Sequence, residues 1–154
     1  KMNALTEEGV IRALVQASQA GVEVDLVIRS ACSLRPGVPG YSENVRVRSI
    51  LGRFLEHHRI WYFENDGGKD VWLSSADWMG RNLFRRIEVA FPVLDPAAKK
   101  RVIEEGLEVH LADNRDAWLL DANGEWKRAR PARKGKARAA QDELLARLAG
   151  GASA

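Results

Sequence analysis

Two of the three histidines in this 154-residue chain are adjacent and precede an arginine, as His57-His58-Arg59 within Gly52–Phe63, GRFLEHHRIWYF. The run that follows reads as a strand. Side chains alternate faces along a strand, so His57 and Arg59 share one face and His58 takes the other. An imidazole beside a guanidinium suits phosphoryl transfer. The ring nitrogen attacks phosphorus or carries a proton, and the planar fork grips two phosphate oxygens as charge develops. A His-x-Arg at a strand start also serves purely structural ends, and spacing alone does not separate the two uses.

Two further elements carry the same chemistry. Arg29 ends the apolar stretch Val24–Ile28, and ligands of open α/β sheets gather at the carboxyl ends of strands. An arginine there is either an oxyanion ligand or half of a surface ion pair. Ser74-Ser75-Ala76-Asp77-Trp78 closes another strand and enters a short helix, offering hydroxyls, free amides and a carboxylate at a helix N-terminus. Plain N-capping by Ser75 or Asp77 is the alternative. Arg81, Arg85 and Arg86 follow, and residues 29 to 86 hold ten cations against six acids. No P-loop, G-x-G-x-x-G, cysteine cluster or H-E-x-x-H is present, so dinucleotide and zinc-protease readings fall away and no metal ligand is assigned in this chain.

The elements that must position these residues read as an α/β chain, of mixed α+β kind, with a central mixed sheet flanked by helices. Thr6 with Glu7 and Glu8 predicts a helix start, Val10, Ile11, Leu14 and Val15 recur at helical spacing, and Gly21 stops it. Val22–Cys32 predicts a buried strand, and the Pro- and Gly-containing stretch 35–44 a functional loop. Val45–Ile50 predicts a half-buried strand with Arg46 and Arg48 outward. Arg59–Phe63 and Val71–Leu73 predict a hairpin across Asn65-Asp66-Gly67-Gly68. A strand over Ile87–Val93 leads to Asp95-Pro96, the start of a helix to about Leu111 that buries Val102, Ile103, Leu107 and Leu111. Trp118–Leu120 and Glu125–Lys127 flank a turn at Asn123-Gly124, and a short helix spans about Ala140–Ala149.

With 45% hydrophobic and 29% charged residues, the chain is too apolar for disorder and too charged for a membrane span. The net charge of +3 is unevenly placed. Residues 127–138, KRARPARKGKAR, carry seven cations and no acid, whereas residues 1–126 hold 16 cations against 19 acids. Basicity therefore belongs to one segment, which reads either as a solvated extension or as a polyanion-binding arm. The single cysteine, Cys32, forms no intrachain disulfide and reads as a small core residue in a reducing compartment.

The succession KMNAL, DLVIRSACSLRPGVPG, SENVRVRSILGRFLEHHRIWYF and VWLSSADWMGRNLFRRIEVAFPV closely resembles the last catalytic domain of the bacterial polyphosphate kinase family, from Lys1 to about Lys127. The resemblance implies a phospholipase-D-like half fold, in which His57-His58-Arg59 and Ser74-Ser75-Ala76-Asp77 occupy the places of that fold's His-x-Lys and Gly/Ser-Ser-x-Asn/Asp elements. Arg59 in place of lysine keeps the charge but puts in doubt any step that needs a proton from that position. It also implies reversible transfer of the terminal phosphate of ATP to inorganic polyphosphate through a phosphohistidine on a preceding domain that this chain lacks. His57 then becomes a second catalytic histidine, and Arg29, His57, Arg59, Ser74, Ser75 and Asp77 become ATP or phosphate contacts. Mg2+ is the implied cofactor, with its ligands outside this chain.

The implied partners are ATP or ADP, polyphosphate, the preceding domains and further copies of the full-length enzyme, without specific nucleic acid. The expected location is the cytoplasm, with peripheral membrane association open. Residues 1–128 are expected to form the domain, truncated at its N-terminal side, and 129–154 a basic tail with a short helix. Two other classes compete: a non-catalytic module that binds polyphosphate or nucleic acid, and a phospholipase-D-like phosphodiesterase.

Overall fold

The computed structural model describes residues 1–150; residues 151–154, the end of the expected tail, lie outside the described residues. Helix α1 spans Glu8–Gln19, and its N-cap is Glu7, whose Oε2 accepts from Val10 N at 2.7 Å. Thr6, the expected cap, lies one residue before it, and the backbone N–H groups of both Thr6 and Glu7 donate to Trp78 O. Gly21, at φ +85°, ends the element in the left-handed conformation that glycine adopts without a Cβ penalty.

Strand β1 covers only Val24–Val27 and runs parallel to β2, Val45–Ile50. Two antiparallel strands, β6 (Ala117–Leu120) and β7 (Trp126–Arg128), extend this sheet in the order β1-β2-β6-β7. The second sheet, β3 (Arg59–Phe63), β4 (Asp70–Ser74) and β5 (Ala90–Pro92), is antiparallel throughout. β5 is shorter than the expected Ile87–Val93: before Ala90 only Ser75 N still donates to a backbone oxygen, Val89 O, while Val89 N turns to the side-chain Ser75 Oγ at 3.0 Å.

The two sheets meet through Lys1–Leu5, a run buried at every residue. On one side Met2 N donates to Val27 O, Ser30 N to Asn3 O, and Leu5 N to Ala31 O. On the other, Lys1 exchanges backbone hydrogen bonds with Ile60, and Trp78 N donates to Ala4 O. This explains why β1 stops at Val27 rather than Cys32: beyond it the chain turns to single bridges with the inserted segment, Met2 to Ile28 and Leu5 to Cys32. Cys32 is accordingly half-buried rather than fully enclosed.

Apolar residues cover the first sheet on both faces. Leu26, Ile28, Val45 and Val47 receive Val10, Ile11 and Leu14 of α1, while Val27, Ile50 and Ala117 pack with Leu111. Leu111 belongs to a helical run that is not uniform: α3 (Pro96–Ile103, capped by Asp95), a π-type turn (Glu104–Glu108), then α4 (Val109–Leu111). The widened turn rotates the face, so Gly106, Val109 and His110 are buried, whereas Val102, Ile103, Leu107 and Leu111 are only half-buried. Glycine at 106 permits the close approach, since a Cβ there would fall 2.3 Å from Ile60 Cδ1.

Helix α2 is short, Gly80–Arg85, and α5 spans Ala140–Gly150. Among the described residues no helix is long and apolar enough to cross a membrane. The basic segment is partly neutralised in place, with Lys127 on Asp121, Arg128 on Asp116 and Arg138 on Glu143. Buried Asp113 joins this end of the chain to the sheet. Its Oδ1 accepts from the N–H groups of Arg115, Asp116 and Ala117, and its Oδ2 from that of Ala140. Replacing it with alanine strands these donors, and at about 1–3 kcal/mol for a buried unsatisfied group we predict that Asp113→Ala lowers unfolding stability by at least about 2 kcal/mol. Urea titration checks this, and a loss below about 0.5 kcal/mol would reject the role assigned to Asp113.

Candidate active site

A cleft of about 520 Å³ opens where the inserted segment, the end of β1, the start of β3 and the chain after β4 converge. Arg29, His57, Arg59, Ser75 and Asp77 line it, together with Asn3, Arg81, Asn82, Arg86 and Glu88. Four arginines thus face two carboxylates, and both carboxylates are already engaged.

Asp77 accepts five hydrogen bonds. Oδ1 takes Asn3 N (2.7 Å), Ala4 N (3.3 Å) and Arg59 Nε (3.2 Å), and Oδ2 takes Asn3 Nδ2 (3.2 Å) and Arg59 Nη2 (2.9 Å). Burial alone would raise its pKa, but the bonds from Arg59 and Asn3 outweigh burial and hold the carboxyl below the usual aspartate value. Glu88 accepts from Ser75 Oγ and from Asn82 Nδ2, and these bonds lower its pKa too.

Arg59 is spent in the same network. Besides its fork on Asp77, its Nη1 donates to His57 O at 2.8 Å and lies 3.1 Å from His57 Nδ1, against 3.4 Å from Nε2. A guanidinium only donates, so a ring nitrogen that Arg59 engages is one that offers its lone pair. Arg29 is different: its Nε donates to Asn3 Oδ1 at 3.0 Å, and no acceptor among the described residues engages its terminal nitrogens. Nor does any engage the side chains of Arg81 or Arg86. The cleft therefore offers two guanidinium groups, and the terminal nitrogens of a third, without acceptors among the described residues, beside the His57 imidazole.

Against known families, residues 1–141 match the model of the polyphosphate kinase C-terminal domain 2. The chain belongs to this family. Among curated proteins, the polyphosphate kinase of Burkholderia ambifaria is 60% identical over 148 residues, which is 96% of this chain and 21% of that protein. That of Paraburkholderia phytofirmans is 56% identical over the same shares. Of solved structures, the polyphosphate kinase from Porphyromonas gingivalis superposes with a TM-score of 0.91 at 43% identity, covering 97% of this chain and 23% of that one. The mixed α/β fold is thus that of a polyphosphate kinase domain. The chain spans about a fifth of the length of the curated relatives it matches. The family match passes the Lys127 limit of the sequence resemblance to reach residue 141, in keeping with the burial of Ala139, Ala140 and Gln141.

Within this polyphosphate kinase domain, five of the six residues expected at the site line one cleft, and Ser74 does not. Ser74 Oγ donates to Val89 O and accepts from Ala76 N. The helix N-terminus expected to carry Ser74–Asp77 is absent, because α2 begins only at Gly80, after Met79. Asp77 instead reaches back to Lys1–Leu5. Asn3, Arg81 and Arg86 line the cleft beyond the expected contacts. The arginine cluster after Trp78 was the only signal for two of them, and nothing local marks Asn3.

Because the folded Asp77 pKa is depressed, its ion pair stabilises fully above the ordinary aspartate value of about 4, and the contribution is lost as pH falls through that range toward the folded pKa. Asp77→Asn should therefore be markedly less stable than wild type at pH 6, with the gap narrowing by pH 3. Urea midpoints across that range measure it; a gap independent of pH would sink the assignment.

Proposed function

We propose that this chain is the distal half of an ATP:polyphosphate phosphotransferase site, gripping nucleotide and phosphate while the nucleophile comes from elsewhere in a longer enzyme. The observation that carries this reading is the cleft where Arg29, Arg81 and Arg86 leave guanidinium donors uncommitted around the His57 imidazole. Family membership supplies the substrate class.

In the proposed reaction a histidine outside this chain attacks the γ-phosphorus of ATP. A P–N bond forms as the bond to the β,γ-bridging oxygen breaks, and ADP departs with its electrons. A terminal oxygen of polyphosphate then attacks the same phosphorus, the P–N bond breaks and the chain grows by one residue; the reverse sequence makes ATP. Such transfers depend mostly on positioning and on spreading charge over the equatorial oxygens. Arg29, Arg81 and Arg86 serve as the oxygen clamp, and the His57 imidazole as a donor to the phosphoryl or bridging oxygen. Arg59 and Asp77 orient His57 rather than hold phosphate.

Magnesium is the cofactor the family implies, and the cleft does not fit it. Both of its carboxylates accept hydrogen bonds already, and arginines surround them. We place the ion's ligands, the phosphorylated histidine and the adenine pocket in the preceding domains, and assign the full-length enzyme to the cytoplasm as an oligomer.

In the full-length enzyme His57→Ala should lower kcat about 100-fold, the scale of losing one positioned donor to developing charge, with an unchanged unfolding temperature. Arg29→Ala should raise the KM for ATP more than it lowers kcat. The 154-residue chain alone should make no polyphosphate from ATP. Wild-type turnover by His57→Ala, or synthesis by the isolated chain, would overturn the proposal.

A further inference from the structure

Glu56 and His58, the neighbours of His57 in sequence, do not line the cleft. They meet Lys1 and His110 in a separate cluster. Lys1 Nζ lies 2.5 Å from Glu56 Oε2, 2.6 Å from His58 Nε2 and 2.7 Å from His110 Nε2. The Lys1, Glu56 and His110 side chains are 2%, 8% and 0% exposed, and His58 closes the outer side at 45%. The other Glu56 oxygen accepts from Gln141 Nε2 at 2.8 Å.

An ammonium has three N–H donors and no acceptor, and here it lies against one carboxylate oxygen and two imidazole nitrogens. His110 Nε2 is also 3.1 Å from Glu56 Oε2, within hydrogen-bond reach of the same oxygen. His110 Nδ1 is buried without a hydrogen-bond partner, so Nε2 carries all of that ring's polar contacts. Burial, then the Lys1 charge, pushes His58 down to about 4, so that ring is a neutral acceptor near pH 7. Burial also lowers Lys1, to about 8, with Glu56 acting in the opposite direction.

Three ligand atoms lying within 4.8 Å of one another, two imidazole nitrogens and a carboxylate oxygen, are the donor set of a divalent transition-metal site. At its centre stands the ammonium. We infer that Glu56, His58 and His110 form a cation receptor filled by the chain's own Lys1, and that this receptor positions His57 by fixing the residues on both sides of it. The second half of the inference rests on the proposed function; the first does not.

The test uses the full-length enzyme without nucleotide. Wild type should show no visible absorption of nitrogen-ligated Co2+, because the ammonium occupies the receptor. Lys1→Ala should bind one more equivalent of Co2+ per chain than wild type, with such bands, and His110→Phe added to it should abolish them. Without metal, Lys1→Ala should lose tenfold or more in kcat, within the roughly 100-fold that misplacing a catalytic group by about 1 Å can cost, with the KM for ATP changed less than about twofold. Bound Co2+ should restore part of that rate. Lys1→Met serves for the kinetic comparison if Lys1→Ala fails to fold. Nitrogen-ligated bands in wild type that His110→Phe removes, or equal Co2+ uptake by wild type and Lys1→Ala, would overturn the receptor. Full kcat in the metal-free variants, with Co2+ binding as expected, would overturn only the positioning role. Failure of the proposed function itself shows separately, as unchanged turnover in His57→Ala.

Discussion

The constraint on which the rest of the structure depends is the insertion of Lys1–Leu5 between the two sheets. Buried backbone must find hydrogen-bond partners, and this segment finds them on both edges, with residues 27 to 33 on one side and Ile60 and Trp78 on the other. Its side chains add a second set of ties. Lys1 enters the Glu56 cluster, Met2 and Leu5 join the core, and Asn3 bridges Asp77 and Arg29. The cleft therefore exists only because this segment draws the end of β1 toward the start of β3. The same residue, Asn3, fixes an arginine from one sheet and the aspartate that orients His57 from the other.

The chemistry of the cleft follows from which of its charges are already committed. Asp77 and Arg59 neutralise each other with near-ideal fork geometry in a half-dry setting, which makes them a rigid support and weakens any claim of Arg59 on phosphate. Arg81, Arg86 and the terminal nitrogens of Arg29 meet no acceptor among the described residues. Net charge is a poor guide to this division. The chain's formal +3 derives from residues 127–138, where three of the cations are paired with nearby acids, whereas the cleft is lined mainly from residues 29–88 within a stretch, 1–126, that is slightly acidic as a whole but richer in cations between 29 and 86.

His57 stands between two supports of different kinds. On one side Arg59 contacts the ring and the backbone carbonyl of His57; on the other, Glu56 and His58 are drawn to one buried ammonium. A buried ion pair is costly to form and costly to break, and here its remaining oxygen and the two imidazoles satisfy the charges that desolvation would leave exposed. The π-type turn at Glu104–Glu108 belongs to this arrangement, since it brings Gly106 against Ile60 and His110 to Lys1.

The sequence by itself determined the elements whose causes are local: β2 and β3 by their alternating or apolar runs, the α3 start by Asp95-Pro96, and the β6–β7 turn by Asn123-Gly124. His57 and Arg59 do reach one cleft, as expected, but β3 begins only at Arg59, and the contacts of Arg59 with the ring and carbonyl of His57, rather than strand alternation, hold the pair together. What only the tertiary structure decided concerns partners distant in sequence. The entry to α1, capped by Glu7 rather than Thr6, is anchored by both amides on Trp78 O, and Ser74–Asp77 leave the helix start because Asp77 is bound to Asn3, 74 residues away. Likewise His110, which reads as an ordinary helix residue, is buried against Lys1, 109 positions earlier. Propensity and periodicity extend over a few residues, whereas hydrogen-bond satisfaction in a buried site is settled by whichever donors and acceptors the folded chain brings within 3 Å.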